Sequence, residues 1–214
     1  MDLYKIGKRI LDIFGSICGI ILFSPFLIGG SIWVKLVSPE GPVMADIKPR
    51  VGRGRKPFKL LKFRSMVPDG YNFLKNNYPD LHKKYEENNY KLDADEDPRL
   101  LPGAKFMRKF SIDEMPQVFN ILKGEMSLVG PRAYYFYELD EQVERFPESK
   151  EYIDAALSVK PGLTGLWQVS GRSDVGFMQR IKLDAEYAEK RSLMYDLVII
   201  LKTPFVVLSG RGAA

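Results

Sequence analysis

From Ile13 to Val34 the chain carries no charged residue. Wound as one straight helix, those 22 residues would extend ~33 Å, roughly the thickness of a bilayer's hydrocarbon. The run is too long for a secretory signal and no small-residue pattern closes it, so it is read as retained and membrane-embedded. Ser24-Pro25 falls at its midpoint. Proline removes a helical hydrogen bond and crowds the preceding turn, while the Ser24 hydroxyl can bond a freed carbonyl, so a break or sharp kink is expected there. Lys5, Lys8 and Arg9 precede the run and Lys35 follows it. Positive charge on both flanks gives no reason to export either end. Two forms remain open from these residues: a kinked transmembrane helix, or a helix that enters and returns to the same face.

The remainder is long enough for one hydrophobic core, with 45% apolar residues in a chain of 214. A single cysteine, Cys18, excludes an intrachain disulfide and cysteine-rich metal sites and fits a reducing compartment. The net charge of +5 divides unevenly, +8 over residues 1–66 and −3 over the rest. Between Lys48 and Arg64 stand eight cations and no anion, Lys62 and Arg64 among them. That density favours partners bearing phosphate.

Residues 43–46 and 58–63 read as short extended pieces, and 70–92 as a polar helical excursion carrying a surface His82. The acidic run Asp93 to Asp97 lacks the glycine and terminal glutamate of a calcium loop and reads as a solvated turn. Met115, Val118, Phe119 and Leu122 recur on one face, with Gly124 just beyond, which predicts a helix over 115–123. One or two amphipathic helices are expected over 134–157 and another over 177–191, separated by loop or short strand around Pro161, Gly162, Gly165 and Gly171. Leu197 to Leu208 is apolar but too short to span, suited to a membrane interface or to packing on the first helix.

Asp113-Glu114 opens the predicted helix at 115–123. Unpaired N–H groups and the helix dipole there would keep a carboxylate ionised and make Asp113 a credible nucleophile. Capping by Ser111 and Glu114, or by Asp113 itself, accounts for the same residues. Arg108 lies five residues before Asp113, and Arg132 follows the short strand Met126 to Val129 and the turn Gly130-Pro131. Two guanidiniums could face the same helix end, and a diphosphate held between them and a carboxylate-bound Mg²⁺ would be poised for attack at phosphorus.

The stretch from Ser111 to Arg132, SIDEMPQVFNILKGEMSLVGPR, closely resembles the signature of the bacterial sugar transferase family, the monotopic phosphoglycosyl transferases. Lys62 to Met66 (KFRSM), Asp97-Pro98-Arg99 and Lys160 to Arg172 (KPGLTGLWQVSGR) match the family in the same order, so the likeness covers nearly the whole chain. It implies an α/β fold of the family's own type. Residues 1–37 would form a broken re-entrant membrane helix, with Ser24-Pro25 at the break and Lys8, Arg9 and Asp12 at its cytoplasmic entrance. Residues 38–214 would form a small cytoplasmic catalytic domain with interfacial amphipathic helices. It further implies that Asp113 forms a covalent phosphosugar intermediate, that Glu114 completes the dyad with Mg²⁺ bound to both, and that Arg108 and Arg132 bind phosphate oxygens. Lys62 and Arg64 belong with them as contacts to diphosphate or lipid phosphate.

The implied reaction moves a hexose 1-phosphate from a UDP-sugar to polyprenyl (undecaprenyl) phosphate at the cytoplasmic face of the bacterial inner membrane, starting a glycoconjugate. The segment Gly165 to Arg172 leans toward UDP-galactose or UDP-glucose. A carboxylate nucleophile divides this transfer into two easier steps, with ping-pong kinetics. Hexose-type relatives often carry transmembrane helices and a further domain ahead of the catalytic part, so this chain reads as a minimal member or an excised catalytic part. Ala133 replaces a common proline, a local departure. Trp167 and Tyr134 to Tyr137 could stack a nucleobase, which packing explains as simply. A homodimer is compatible with these residues, and no nucleic-acid partner is expected. A metal-dependent phosphohydrolase and a non-catalytic basic protein on anionic surfaces are the rivals.

Overall fold

The computed structural model describes residues 3–45, 47–88, 92–171 and 175–209. The uncharged run lies within one long helix, α1 (Leu3–Val37), which continues through Pro25. The expected break is therefore absent from the helix. The reason is local: proline cannot donate to the carbonyl four residues back, and the Ser24 hydroxyl donates to that same Ile21 oxygen at 2.9 Å. α1 is long and apolar enough to cross a membrane, with mean hydropathy 2.1 in its most apolar window. It buries only a narrow stripe, Asp12, Ser16, Gly30 and Val34, while Phe14, Ile21, Leu22, Ile28 and Leu36 stay exposed. An apolar surface of that extent marks membrane association.

Helices dominate the rest: α2 (Gly70–Asn77), α3 (Pro79–Glu87), α4 (Ala104–Lys109), α5 (Gln117–Lys123), α6 (Phe136–Arg145), α7 (Ser149–Leu157), α8 (Leu166–Ser170), α9 (Phe177–Lys190) and α10 (Leu193–Ser209). Among the described residues four short strands form two pairs. β1 (Arg50–Val51) runs antiparallel to β2 (Pro57–Phe58), and β3 (Ser127–Val129) runs parallel to β4 (Gly162–Thr164) with Ser127 opposite Gly162 and Val129 opposite Thr164. The expected extended pieces reduce to β2 and a bridge between Met44 and Phe63, Asp46 lying outside the described residues. The helical excursion is α2 and α3, with residues 89–91 likewise outside. His82 is buried, not on the surface, because its ring packs edge-on against Tyr71 at 4.9 Å.

The β3–β4 pair is the hinge of the architecture. A Cβ on Gly162 would lie 2.1 Å from the Gly130 nitrogen, and one on Gly130 would lie 2.3 Å from the Lys160 carbonyl oxygen. Only glycines allow the two backbones to approach this closely, which explains Gly130-Pro131 and Pro161-Gly162 physically. One apolar cluster, centred on Leu139, Ile153 and Ile181, joins α6, α7 and α9. Another joins Val34 of α1 to Phe63, Met107 and Ile112, beside the candidate site. α10 packs on the first helix, Leu193 against Gly7 of α1, while Met194, Leu201, Phe205 and Leu208 remain exposed.

Candidate active site

Asp113 does not open a helix. It sits in a single 3-10 turn, Ile112–Glu114, wedged between α4 and α5. Ser111 before it adopts φ 54, a left-handed conformation rare outside glycine, which turns the chain sharply off α4. Neither Ser111 nor Asp113 makes a side-chain cap to this turn, and α5 begins after Pro116 without one. The capping explanation of these acidic residues therefore fails. α5 itself agrees with the periodicity, ending on Gly124 at φ 84.

Asp113 is 1% exposed. Its Oδ2 lies 2.7 Å from Lys62 Nζ, and the same ammonium lies 3.6 Å from Glu114 Oε1. Lys62 is delivered by the neighbouring backbone, since the Phe63 N–H donates to the Asp113 carbonyl at 2.8 Å and the Ala45 N–H to the Lys62 carbonyl at 2.8 Å. Phe63 is pressed against Gly30 of α1, where a Cβ would meet its ring at 2.7 Å. Arg108 donates to Ser65 Oγ at 3.1 Å and lies close enough to act electrostatically on Asp113.

Burial raises the Asp113 pKa above the ordinary carboxylate value; Lys62 opposes it, Glu114 adds to it, and Arg108 opposes it. The expectation that a helix dipole would hold this carboxylate ionised is corrected in its cause: burial opposes the charged form, and no helix end offsets it. Desolvation outweighs the dipole because the residue sits in a separate, buried turn. Lys62 takes over the stabilising role assigned to the helix end.

The contact between Asp113 and Lys62 is a short ion pair at the buried Oδ2. The buried Asp113 carboxylate, next to the half-exposed Glu114, suits a Mg²⁺ arriving with phosphate, since that ion takes one or two carboxylates and completes its shell with phosphate oxygens and water. Among the described residues no group of three or more metal-ligating side chains offers a dedicated cage. Asp113 and Glu114 are the residues that would hold it.

The other sequence-assigned residues divide. Lys62 and Arg108 converge on Asp113. Arg64 is buried and donates through Nε to the Pro42 carbonyl at 2.8 Å, through Nη1 to Ser38 Oγ at 2.7 Å and through Nη2 to the Ser38 carbonyl at 2.5 Å. Its guanidinium ties down the chain leaving α1 rather than facing open space for phosphate. Arg132 lies over the Trp167 ring at 5.3 Å and beside Asp184, which accepts its backbone N–H at 3.1 Å. Tyr134 and Trp167 are buried and Tyr135 is covered by Arg50, so packing rather than base stacking accounts for them. Arg172 lies outside the described residues.

Three charges at the start of α1 brace the catalytic segment. Arg9 donates to the Ile121 and Leu122 carbonyls, each at 2.7 Å, satisfying the end of α5. Asp12 accepts from Ser127 Oγ at 2.8 Å and from the Leu128 N–H at 2.9 Å. Lys8 donates to the Val129 carbonyl at 3.0 Å and pairs with buried Asp196 at 2.9 Å, which also accepts from the Tyr187 hydroxyl. Asp12 was expected at the entrance of the helix, and what the sequence left unnamed was the partner that a carboxylate at the threshold of an apolar helix must have.

The bacterial sugar transferase family profile matches residues 3–210. The undecaprenyl-phosphate galactose phosphotransferase of Salmonella typhimurium is 42% identical over 209 residues, covering 96% of this chain and 41% of that protein. The exopolysaccharide production protein ExoY of Sinorhizobium fredii is 36% identical over 208 residues, covering 97% of this chain and 88% of that protein. This chain belongs to the bacterial sugar transferase family. Another similar protein is the UDP-glucose:undecaprenyl-phosphate glucose-1-phosphate transferase of Caulobacter vibrioides, 36% identical over 201 residues, which cover 92% of this chain and 67% of that protein. The chain spans about two fifths of the length of the Salmonella relative. The structure draws the family's separated segments together: Lys62 from one contacts Asp113 from another, and Gly130 from the second packs on Gly162 from a third.

Proposed function

We propose that this chain transfers a hexose 1-phosphate from a UDP-sugar, galactose or glucose, to undecaprenyl phosphate, through a covalent intermediate on Asp113. The observation that carries this reading is the state of Asp113: buried, released from any capping duty, and paired with Lys62 at 2.7 Å beside Glu114. Relatives whose names specify undecaprenyl phosphate and galactose or glucose support the choice of substrates.

In the first step an Asp113 oxygen bonds to the phosphorus bearing the sugar, the diphosphate bridge breaks, and UMP departs with the bridging oxygen. In the second, an oxygen of undecaprenyl phosphate bonds to that phosphorus and the acyl phosphate bond breaks, returning the Asp113 carboxylate. The product is an undecaprenyl diphosphate sugar, the first lipid-linked unit of an O-antigen, capsule or exopolysaccharide. Lys62 keeps Asp113 ionised against its burial, and Arg108 faces phosphate charge. A Mg²⁺ held by Asp113 and Glu114 would screen the charge of the diphosphate.

The contacts of α1 support a monotopic disposition, with both ends of the unbroken helix on the domain's side of the membrane. Arg9 and Asp12 near its start, and Trp33 and Val34 near its end, all pack on the same domain. A spanning helix would carry one of those ends across the bilayer and away from it. The dyad would then stand at the headgroup level of the cytoplasmic leaflet, where a soluble nucleotide sugar and a lipid phosphate can both reach it.

The test is incubation of the purified chain with Mg²⁺ and UDP-galactose or UDP-glucose labelled in the sugar. Labelled protein should form and discharge when undecaprenyl phosphate is added, and Asp113→Asn should abolish both the adduct and turnover. A labelled Asp113→Asn protein would refute the nucleophile, and UMP release independent of the lipid phosphate would favour hydrolysis by water.

A further inference from the structure

At the far end of α5 from the dyad, Lys160 holds a charge that no side chain matches. Its backbone is pinned by the β3–β4 pair, where a Cβ on Gly130 would lie 2.3 Å from the Lys160 carbonyl oxygen. Its side chain reaches Gly124, the residue that ends α5 at φ 84. A Cβ on Gly124 would lie 3.6 Å from Lys160 Nζ and 3.9 Å from Arg9 Cζ, so an ammonium from the approach to β4 and a guanidinium from α1 converge on one point. Arg53, in the turn between β1 and β2, lies close enough to act on Lys160 electrostatically.

The end of α5 does not need this lysine. The carbonyls of Asn120, Ile121 and Leu122 already accept, from the Gly124, Glu125 and Met126 N–H groups and from the two Nη atoms of Arg9. The neighbouring carboxylates are occupied as well: Asp12 accepts from Ser127 and Leu128, Glu125 accepts from Asn120 at 2.7 Å, and Asp196 pairs with Lys8. Among the described residues the side chains of Lys160 and Arg53 have no hydrogen-bond or ion-pair partner. Burial lowers the Lys160 pKa; Arg9, Arg53 and Lys8 lower it further, and Asp12 opposes them. Cations gathered this way, with every local carboxylate engaged elsewhere, are stabilised together by a phosphate from outside the chain.

Position decides the source of that phosphate. Arg9 is the last cation before the uncharged run of α1, and Ile13 and Ile17, one and two turns further along the same face, are 37% and 48% exposed. A headgroup held at Arg9 therefore has an apolar track for its acyl chain beside it. The dyad precedes α5 and the cluster follows it, and the 7 residues of that helix extend ~10 Å, so a phosphate at Gly124 is not the one that reacts. We propose that Arg9, Arg53 and Lys160 form a site for the phosphodiester of an anionic membrane phospholipid, with an acyl chain lying along Ile13 and Ile17. The site rests on the membrane association of α1 and is independent of the transfer chemistry.

The full chain in non-ionic detergent, stripped of phospholipid, is titrated with phosphatidylglycerol and with phosphatidylcholine, and bound lipid is counted by native mass spectrometry. The wild type should retain phosphatidylglycerol in preference. Lys160→Gln should bind it about tenfold more weakly, Lys160→Arg should recover most of the affinity, and Lys123→Gln, which removes an exposed lysine at the same helix end, should match the wild type. Equal retention of the two lipids, or equal affinity in Lys160→Gln, would overturn the site, and so would a loss in Lys123→Gln as large as that in Lys160→Gln, the mark of diffuse surface charge. Displacement of phosphatidylglycerol by undecaprenyl phosphate or inorganic phosphate at the same concentration would overturn the choice of a phosphodiester lipid.

Melting temperatures separate a lost site from a damaged fold. Without phospholipid, Lys160→Gln should melt at or above the wild-type temperature, because it removes a like charge from the cluster. Phosphatidylglycerol at about ten times its Kd should raise the wild type by about 3 °C or more and leave the variant where it was. A variant that melts lower without lipid and then rises in parallel with the wild type would overturn the site. Neither measurement uses a nucleotide sugar, so failure of the site leaves the transferase reading standing, and failure to form the labelled adduct leaves the site standing.

Discussion

Asp184→Asn should remove a large block of pH dependence from the stability of this fold. The carboxyl is wholly buried, and its pKa rises from 3.8 to about 7 because burial outweighs the hydrogen bonds from Tyr134 and the Arg132 backbone and the nearby guanidiniums of Arg132 and Arg180. A raised native pKa means the folded chain holds this proton more tightly than the unfolded chain. The stabilisation it contributes is therefore complete below about pH 4, declines as pH rises, and is gone above about pH 7. A shift of about three pKa units at ~1.4 kcal/mol each amounts to about 4 kcal/mol. The asparagine amide oxygen can accept the same two hydrogen bonds and has no carboxyl proton to lose. Urea unfolding of wild type and variant in non-ionic detergent, at a series of pH values, isolates this group because every other titration cancels in the difference. The wild type should lose about 4 kcal/mol relative to the variant between about pH 4 and pH 8. Parallel stability curves over that interval would refute the reasoning.

Lys62→Met removes the cation 2.7 Å from Asp113, so the carboxylate pKa should climb further. The acid limb of kcat/KM should move to higher pH and the rate fall by roughly a hundredfold; an unmoved limb would show that Lys62 is not the counter-charge. Arg64→Met should lower unfolding stability by about 3 kcal/mol, because it strips three buried contacts to Ser38 and Pro42, while KM for the nucleotide sugar stays put. A raised KM at unchanged stability would return Arg64 to phosphate binding. Gly162→Ala would drive a Cβ to 2.1 Å from the Gly130 nitrogen and should cost about 3 kcal/mol or more, whereas Gly176→Ala, with no atom within 4 Å, should leave the melting temperature within about a degree or two. Equal melting temperatures for the two variants would mean the β3–β4 approach is not obligatory.

Much of this protein is written locally. An uncharged run of 22 residues has to leave water, and that alone forecasts α1. The spacing of Val118, Phe119 and Leu122 before Gly124 forecasts α5, and Gly130-Pro131 and Pro161-Gly162 announce a tight approach whose partner they do not name. Asp113, Glu114, Lys62 and Arg108 could be nominated from residue type and resemblance, because the chemistry of phosphate transfer restricts which side chains serve.

Tertiary packing decided what those side chains do. Whether Asp113 is ionised depends on a contest between burial and a lysine about fifty residues away, and no local pattern encodes the outcome. Arg64 and Arg132 stand in equally suggestive motifs, yet one braces the exit from α1 and the other lies with Arg180 over Trp167. Periodicity reports which face of an element meets the core and is silent about which distant charge waits there. Electrostatic energies fall with distance in space rather than in sequence, so the helix and turn were legible in the chain while the assignment of each charge to its partner belonged to the fold.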